Sequence, residues 1–491
     1  MKKIFLLLTI LLSVLSAHSQ VSRPKLVVGL VVDQMRWDYL YYYHDEYGEN
    51  GLKRIMREGY RCENTLINYV PTVTAIGHSS VYTGSVPAFT GICGNDFYVD
   101  GKSTTSTRDT TVTTVGAPNG KGGQQSPHLL LATTIGDELK IATNFQSKVV
   151  GVAIKDRAAI LPAGHSADAA YWYDRTNGCF VTSSYYMDQL PQWMERFNKQ
   201  HPLSAKHNLN PTTEGVTMTL ALAEAAIDGE GLGQDDVTDL LAVSISSTDA
   251  IGHEYGTRGK ENHDVYMQLD RDVARFLSML DEKVGRGNYL LFLTADHGGM
   301  HNPLFLRSHK MPDGGWDSGK TFKELNSQLE SKYGGTKLVK AIMDSRIYLD
   351  RAQIETKGLD IDAIKADVLK VLIQDSAIQF AVDGDRISEA TIPPVLKERI
   401  LNGYNRERGG DLFVILKSGH LGWRYGDDYR GTSHSAWNNY DAHIPLVFMG
   451  WGVSPGCTVK PTFITDIAAT ICAMLYIQAP NCCIGTPIDM R

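Results

Sequence analysis

Three apolar runs of this chain end in aspartate. "KLVVGLVVD" stops at Asp33, "DLLAVSISSTD" at Asp249, and "NYLLFLTADH" at Asp296 with His297 beside it. A single aspartate in such a place caps a helix or closes a turn. Three that converge repel one another, and a multivalent cation is the natural counter-charge. In "TDAIGHEYG", Asp249 and His253 are four residues apart, so one helical turn presents both on one face. In "ADHGG", the adjacent Asp296 and His297 point differently, which suits bridging between two ions, and the glycines that follow permit a tight turn. A fourth run, "HIPLVFMG", begins at His443 and is preceded by a loop that holds His434. Mixed histidine and aspartate ligands favour zinc over magnesium or calcium, and the absence of cysteine from these positions favours a catalytic over a structural ion.

The stretch "PTVTAIGHSSVYTG", from Pro71 to Gly84, adds a candidate nucleophile. It reads as a helix entered just beyond a turn at Pro71. Thr72 or Thr74 serves there as an N-cap, or one of them does chemistry. A helix N-terminus is also an anion site, and a metal-bound threonine hydroxyl is nucleophilic near neutral pH. His78, one turn along, reads as structural.

The elements that must position these groups follow from the pattern of the runs. They are continuous rather than alternating, as in strands buried on both faces of a mainly parallel sheet. Helical patterns such as "GVTMTLALAEAAI" and "HDVYMQLDRDVARFLSMLDEKV" lie between them, so the expected class is α/β. In such sheets function gathers beyond the carboxyl ends of the strands.

The chain has 491 residues, 43% of them hydrophobic, enough for a large core. A net charge of −7 without a long basic run excludes nucleic acid as the main partner. "MKKIFLLLTILLSVLSAHSQ" has the basic start, apolar centre and small residues (Ala17, Ser19) of a secretory signal, so 1–19 is expected to be a signal peptide. Its apolar centre is short of the ~20 residues that span a bilayer, and no cysteine follows it, so no stable membrane anchor is expected. Seven cysteines in an exported chain allow up to three disulfides. Cys62 with Cys93, and Cys457 with Cys482 or Cys483, are the expected pairs.

Taken in order, Asp33, "PTVTAIGH", "GICGND", "IKDR", "TDAIGH", "ADHGG" and His434 resemble the alkaline phosphatase superfamily. More narrowly, they resemble the PafA-like bacterial alkaline phosphatases, with a threonine nucleophile and a Lys/Arg phosphate clamp. The resemblance extends to "TFITDIAATICAML" and "GTPI" near the C-terminus. It implies a zinc-dependent phosphatase with two Zn2+, exported to the periplasm or secreted. Thr74 would be the nucleophile, with a covalent phosphothreonine intermediate. Asp249, His253 and His434 would hold one zinc; Asp33, Asp296 and His297, with Thr74, would hold the other. Asn95 would hydrogen-bond a phosphoryl oxygen, and Lys155 and Arg157 would clamp the transferred group. These two sit at alternate positions of a stretch read as extended, so their side chains are expected to point the same way.

A phosphate monoester presents the dianion that such a clamp matches, so small monoesters are the expected substrates and inorganic phosphate the product. The closest alternative is a nucleotide pyrophosphatase/phosphodiesterase of the same superfamily, which typically lacks the K-x-R pair. A sulfatase lacks support because no formylglycine precursor motif is evident. A non-catalytic zinc-binding scaffold is a reading from another class, but no ligand or nucleophile is missing. One departure stands out: Ser435 follows His434 where the family often has glycine, which leaves His443 as a rival ligand. His434 is preferred because His443 opens an apolar strand. The expected organisation is an alkaline-phosphatase-like core from 24–98, 215–300 and 426–491. An insertion at 99–214 carries the Lys/Arg pair and arches over the site, and a second at 301–425 shapes the entrance.

Overall fold

The computed structural model describes residues 22–118 and 120–490. The expected signal peptide, 1–19, lies outside them. The protein is α/β, built on a ten-stranded, mainly parallel sheet. At its centre are β1 (Leu26–Val32), β2 (Val149–Ala153), β3 (Asp239–Ile245), β4 (Tyr289–Thr294) and β5 (Leu446–Gly450), in the spatial order β5-β4-β1-β3-β2. β1 pairs in parallel with both β3 and β4, β2 pairs in parallel with β3, and β5 closes this group antiparallel to β4. Every residue of β1 to β4 is buried, which is why these strands read as unbroken apolar runs. Each fully buried Val or Leu contributes roughly 1.5–3 kcal/mol of transfer free energy, so burial holds together the frame that carries the site.

Helices cover both faces. α1 (Thr74–Thr83) lies so close to the sheet that a Cβ on Gly29 of β1 would sit 2.1 Å from the Tyr82 hydroxyl. A Cβ on Gly77 of α1 would sit 2.3 Å from the Asp296 carbonyl oxygen. Glycine at these two positions lets the helix start reach the carboxyl edge. α2 (Asp156–Ala163) follows β2, α3 (Thr213–Glu230) precedes β3, and α4 (Ser247–Tyr255) and α5 (Lys260–Leu280) follow it.

The segment 99–214, expected to arch over the site, instead enters the sheet. It supplies β2 and the strands Ala169–Asp174, Cys179–Ser183 and Thr114–Val115, which extend the sheet beyond β2. The segment 301–425 carries a separate four-stranded antiparallel sheet in the order Val339–Met343, Arg346–Leu349, Leu412–Leu416, Ile378–Asp383. Trp316, Leu325, Ile347, Ile364 and Leu412 form its own apolar core. It docks on the loops around α1, where Arg408 donates to the carbonyls of Gly91 and Leu129, and Asn402 to that of Asn68.

All seven cysteines are thiols, so the expected disulfides do not form. Cys62 lies in the strand Tyr60–Cys62 and packs in the main core, whereas Cys93 belongs to a different apolar cluster with Phe97 and Leu161.

Candidate active site

The chemistry-bearing residues gather at the carboxyl edge of the central strands. Asp33 directly follows β1 and is fully buried. Its main chain is fixed to β3 and α4: the Asp33 N–H donates to the Ile245 carbonyl at 3.1 Å, and the Thr248 hydroxyl donates to the Asp33 carbonyl at 2.6 Å. Asp249 and His253 lie on α4 one turn apart, with His253 Nε2 3.1 Å from Asp249 Oδ1. Asp296 and His297 follow β4, and both are fully buried. His434 comes from the loop before β5, with Nε2 3.7 Å from Asp249 Oδ1.

Ligand-type atoms of Asp33, Asp296 and His297 lie within 4.8 Å of one another, and so do those of Asp249, His297 and His434. His297 thus belongs to both groups, and its ring stacks on that of His434 with centroids 3.7 Å apart. His253 stays attached to the second group through Asp249. Asp33 Oδ1, Asp296 Oδ2 and His297 Nε2 are buried without a hydrogen-bond partner among the described residues. Buried polar atoms left in this state are costly. Two carboxylate oxygens and an imidazole nitrogen together form a donor set that fits a divalent ion.

The histidines are set up for this. His253 Nδ1 lies 3.0 Å from the Thr432 carbonyl, His297 Nδ1 2.9 Å from that of Gly298, and His434 Nδ1 2.6 Å from that of Thr72. Such bonds hold the proton on Nδ1 and leave Nε2 as the ligand atom. Burial lowers the pKa of His297, and burial with the His297 charge lowers that of His434. Burial and the charges of Asp249 and Asp296 push the Asp33 carboxyl well above the usual carboxylate range. Burial also acts to raise Asp249, but the charges of His253 and Lys155 hold it well below that range.

Thr74 is the first residue of α1. The N-cap is Val73, which makes no side-chain cap bond, so neither Thr72 nor Thr74 caps this helix. Thr72 instead braces the His434 loop. Its hydroxyl donates to the Ala436 carbonyl and accepts from the Ser435 N–H, while its carbonyl holds His434. The Thr74 hydroxyl, 3.4 Å from Lys155 Nζ, faces the carboxylates. Lys155 Nζ also bridges Asp33 Oδ2 at 2.6 Å and Asp249 Oδ2 at 2.5 Å. Asn95 Oδ1 accepts from the Ala75 N–H at 3.0 Å, which ties the "GICGND" loop to the start of α1.

Lys155 and Arg157 do not share an extended stretch. β2 ends at Ala153, Lys155 is the N-cap of α2, and Arg157 is in its first turn, so the two side chains leave different geometries. Lys155 reaches the carboxylates, whereas Arg157 stays outside them, with Nη1 3.7 Å from Asp156 Oδ1. Its Nε is buried and has no partner among the described residues.

His78 is structural. Nδ1 lies 2.9 Å from the Thr74 carbonyl and 3.3 Å from Asp296 Oδ2, and Nε2 lies 2.7 Å from the Ser244 hydroxyl. His443 is engaged elsewhere: its ring stacks on Trp37 and its Nε2 meets the Glu63 carbonyl. Ser435 adopts φ 94°, in the left-handed region that favours glycine.

Sequence reasoning misses Gln34. Its Nε2 donates to Asp249 Oδ1 at 2.6 Å and its backbone N–H to Asp296 Oδ1 at 3.2 Å, and its φ is 62°. A polar residue in an aspartate's wake carries no periodic signal, and its unusual φ is invisible in a glutamine. Gly252 could have hinted at it, since a Cβ there would sit 2.0 Å from Gln34 Oε1.

A hydroxyl at a helix start beside these carboxylates and imidazoles makes this a candidate metal centre with a candidate nucleophile. The family model of type I phosphodiesterase/nucleotide pyrophosphatase matches residues 27–441. The chain is 47% identical, over 96% of its length and 95% of the relative's, to a Myroides odoratus protein named calcium-transporting ATPase. It is 44% identical to alkaline phosphatase PafA of Elizabethkingia meningoseptica, over 95% of this chain and 94% of that one. The crystal structure of wild-type PafA superposes with a TM-score of 0.90, covering 95% of this chain and 98% of the other. The chain belongs to the type I phosphodiesterase/nucleotide pyrophosphatase family of the alkaline phosphatase superfamily.

Proposed function

We propose that this protein is an exported alkaline phosphatase that hydrolyses small phosphate monoesters in two displacements through a phosphothreonine at Thr74. The observation that carries the reading is the convergence of three buried carboxylates, three tautomer-fixed imidazoles and Lys155 on one threonine hydroxyl. The similarity to PafA over nearly the whole chain supports it.

Two zinc ions are the cofactors the donor set suits. Asp249, His253 and His434 would hold one, and Asp33, Asp296, His297 and Thr74 the other. When bound, they supply Lewis-acid stabilisation of the charge that develops on the attacking and departing oxygens.

The chain's own groups do the rest. Thr74 gives up its hydroxyl proton to solvent as Oγ1 forms a bond to phosphorus and the ester P–O bond breaks, and the leaving oxygen takes a proton from water and departs as an alcohol. Water then attacks the phosphothreonine from the vacated side. The Thr74–phosphorus bond breaks, inorganic phosphate leaves, and the threonine regains its proton. The N-terminus of α1 favours the anionic group with its dipole. The Asn95 amide remains free to donate to a phosphoryl oxygen while its carbonyl holds Ala75. Lys155 contributes a point charge and Arg157 a forked donor set, which together match a dianion better than a diester monoanion.

Export rests on residues 1–19, and no helix among the described residues is long and apolar enough to cross a membrane. A second reading, phosphodiester or nucleotide pyrophosphate hydrolysis, is favoured by the family model alone. The deciding test compares p-nitrophenyl phosphate with bis-p-nitrophenyl phosphate on zinc-loaded, EDTA-treated and Thr74→Ala protein. Strong monoester preference, lost with chelation and with the substitution, is expected. A diester preference would replace the phosphatase reading by the second one.

A further inference from the structure

A cavity of about 180 Å³ opens beside the candidate metal centre, between the loop that carries His434 and the sheet of the 301–425 segment. Of the candidate ligands, His434 alone lines it. Three indoles share its wall, from three separate stretches of chain: Trp316, Trp423 and Trp437, and Ile342 and Ile415 also line it. Trp316 is buried, and Trp423 is 42% exposed. The indole Nε1 of Trp437 is buried and has no acceptor among the described residues. A cavity walled by indoles suits a flat ring, because offset and edge-on aromatic contacts add to simple burial. Its volume is of the order that holds one ring system, roughly 150 Å³ for benzene, and polar groups such as Asp344 and His420 also line it.

Resting on the phosphatase reading above, we infer that this cavity is the leaving-group subsite and that it selects phosphate monoesters whose alcohol carries an aromatic ring. In an in-line displacement the departing oxygen lies opposite the attacking one. An ester group that leaves the centre past His434 runs into this space, where the lining indoles would meet its ring. Aryl esters and nucleoside monophosphates share the chemistry that the walls recognise.

The test measures kcat/KM of the metal-loaded enzyme and its Trp423→Ala variant on phenyl phosphate, a nucleoside 5′-monophosphate and ethyl phosphate. Inhibition of the unsubstituted enzyme by phenylphosphonate and by ethylphosphonate gives a readout that needs no variant. Trp423 is partly exposed, so its loss should leave the fold intact. The variant should lose about fivefold on at least one aromatic ester and stay within about twofold on ethyl phosphate, a size set by one aromatic contact. Phenylphosphonate should bind the unsubstituted enzyme several-fold more tightly than ethylphosphonate. A loss confined to the nucleotide would assign the ring to its base, and one confined to phenyl phosphate to a ring at the ester oxygen; both support the subsite. Equal variant-to-parent ratios on all three esters, with equal inhibition by the two phosphonates, would overturn the subsite but leave the phosphatase reading standing. Hydrolysis of none of the esters by the unsubstituted enzyme would instead bring down the phosphatase reading, and the subsite with it.

Discussion

The two sheets of this molecule are built on opposite terms. In the central sheet, β1 and β3 are buried along their whole length. In the outer sheet of the 301–425 segment, the strands Val339–Met343 and Ile378–Asp383 each mix buried, half-buried and exposed positions. A strand covered on both faces has no freedom to shift a side chain at its end, so the groups that do chemistry sit beyond β1 to β4. The inner strands of the outer sheet, Arg346–Leu349 and Leu412–Leu416, are buried almost throughout, so only its edge strands tolerate substitution freely, and the sheet borders the cavity rather than Thr74. On the function proposed above, the contrast implies a division of labour, in which the central sheet holds the reacting groups and the outer one borders the path of the ester group.

The sharpest way to break that division is Thr74→Ala, which should lower monoesterase activity by about 10³-fold or more while the protein keeps its melting temperature within a few degrees. Retained turnover in a kinetic assay would move the nucleophile elsewhere. Next in size, the double change Lys155→Ala with Arg157→Ala should cost about 10²-fold or more on monoesters and much less on diesters. An unchanged ratio of the two activities would detach the pair from substrate choice. Gln34→Ala, which removes the donor to Asp249, should weaken metal affinity by about 10- to 100-fold in a chelator titration, with Thr74 untouched.

On the other side of the comparison, Leu412→Ala in the outer core should lower stability by about 2–5 kcal/mol in denaturant unfolding. It should alter discrimination between esters more than turnover of the best one. A collapse of all activity at temperatures where the protein remains folded would mean the outer sheet also holds the centre. The smallest effect expected is that of Ser435→Gly. Relief of a left-handed backbone is offset by the greater freedom of glycine in the unfolded chain, so stability should move by about 1 kcal/mol or less.

Much of this is legible in the chain because of the same contrast. Doubly covered strands write themselves as unbroken apolar runs, so the ends of β1, β3 and β4, and the aspartates beyond them, stand out. The Asp249–His253 pair follows from helical spacing, and the structure puts both on one face of α4. The Lys155–Arg157 pair is harder to place because "VAIKDRAAI" has apolar flanks that serve a strand and a helix equally well, and the chain changes from one to the other around the two cations. The strands of 99–214 escape notice for a similar reason. "AAYWYD" and "CFVTS" are short and carry polar ends, and only their pairing with β2 and with each other makes them part of the sheet. Gln34 adds a backbone N–H and an unusual φ to its amide contact, and Thr72 adds its carbonyl to its hydroxyl contacts; the side chains alone do not encode these backbone parts.

The three histidines of the centre each lean on a main-chain carbonyl, from Thr72, Gly298 and Thr432. An acceptor of that kind belongs to every amino acid alike, so no exchange of a side chain at those three positions can delete it. The tautomers are therefore inherited from the path of the chain. The sequence around them is free to drift over evolutionary time as long as that path is kept.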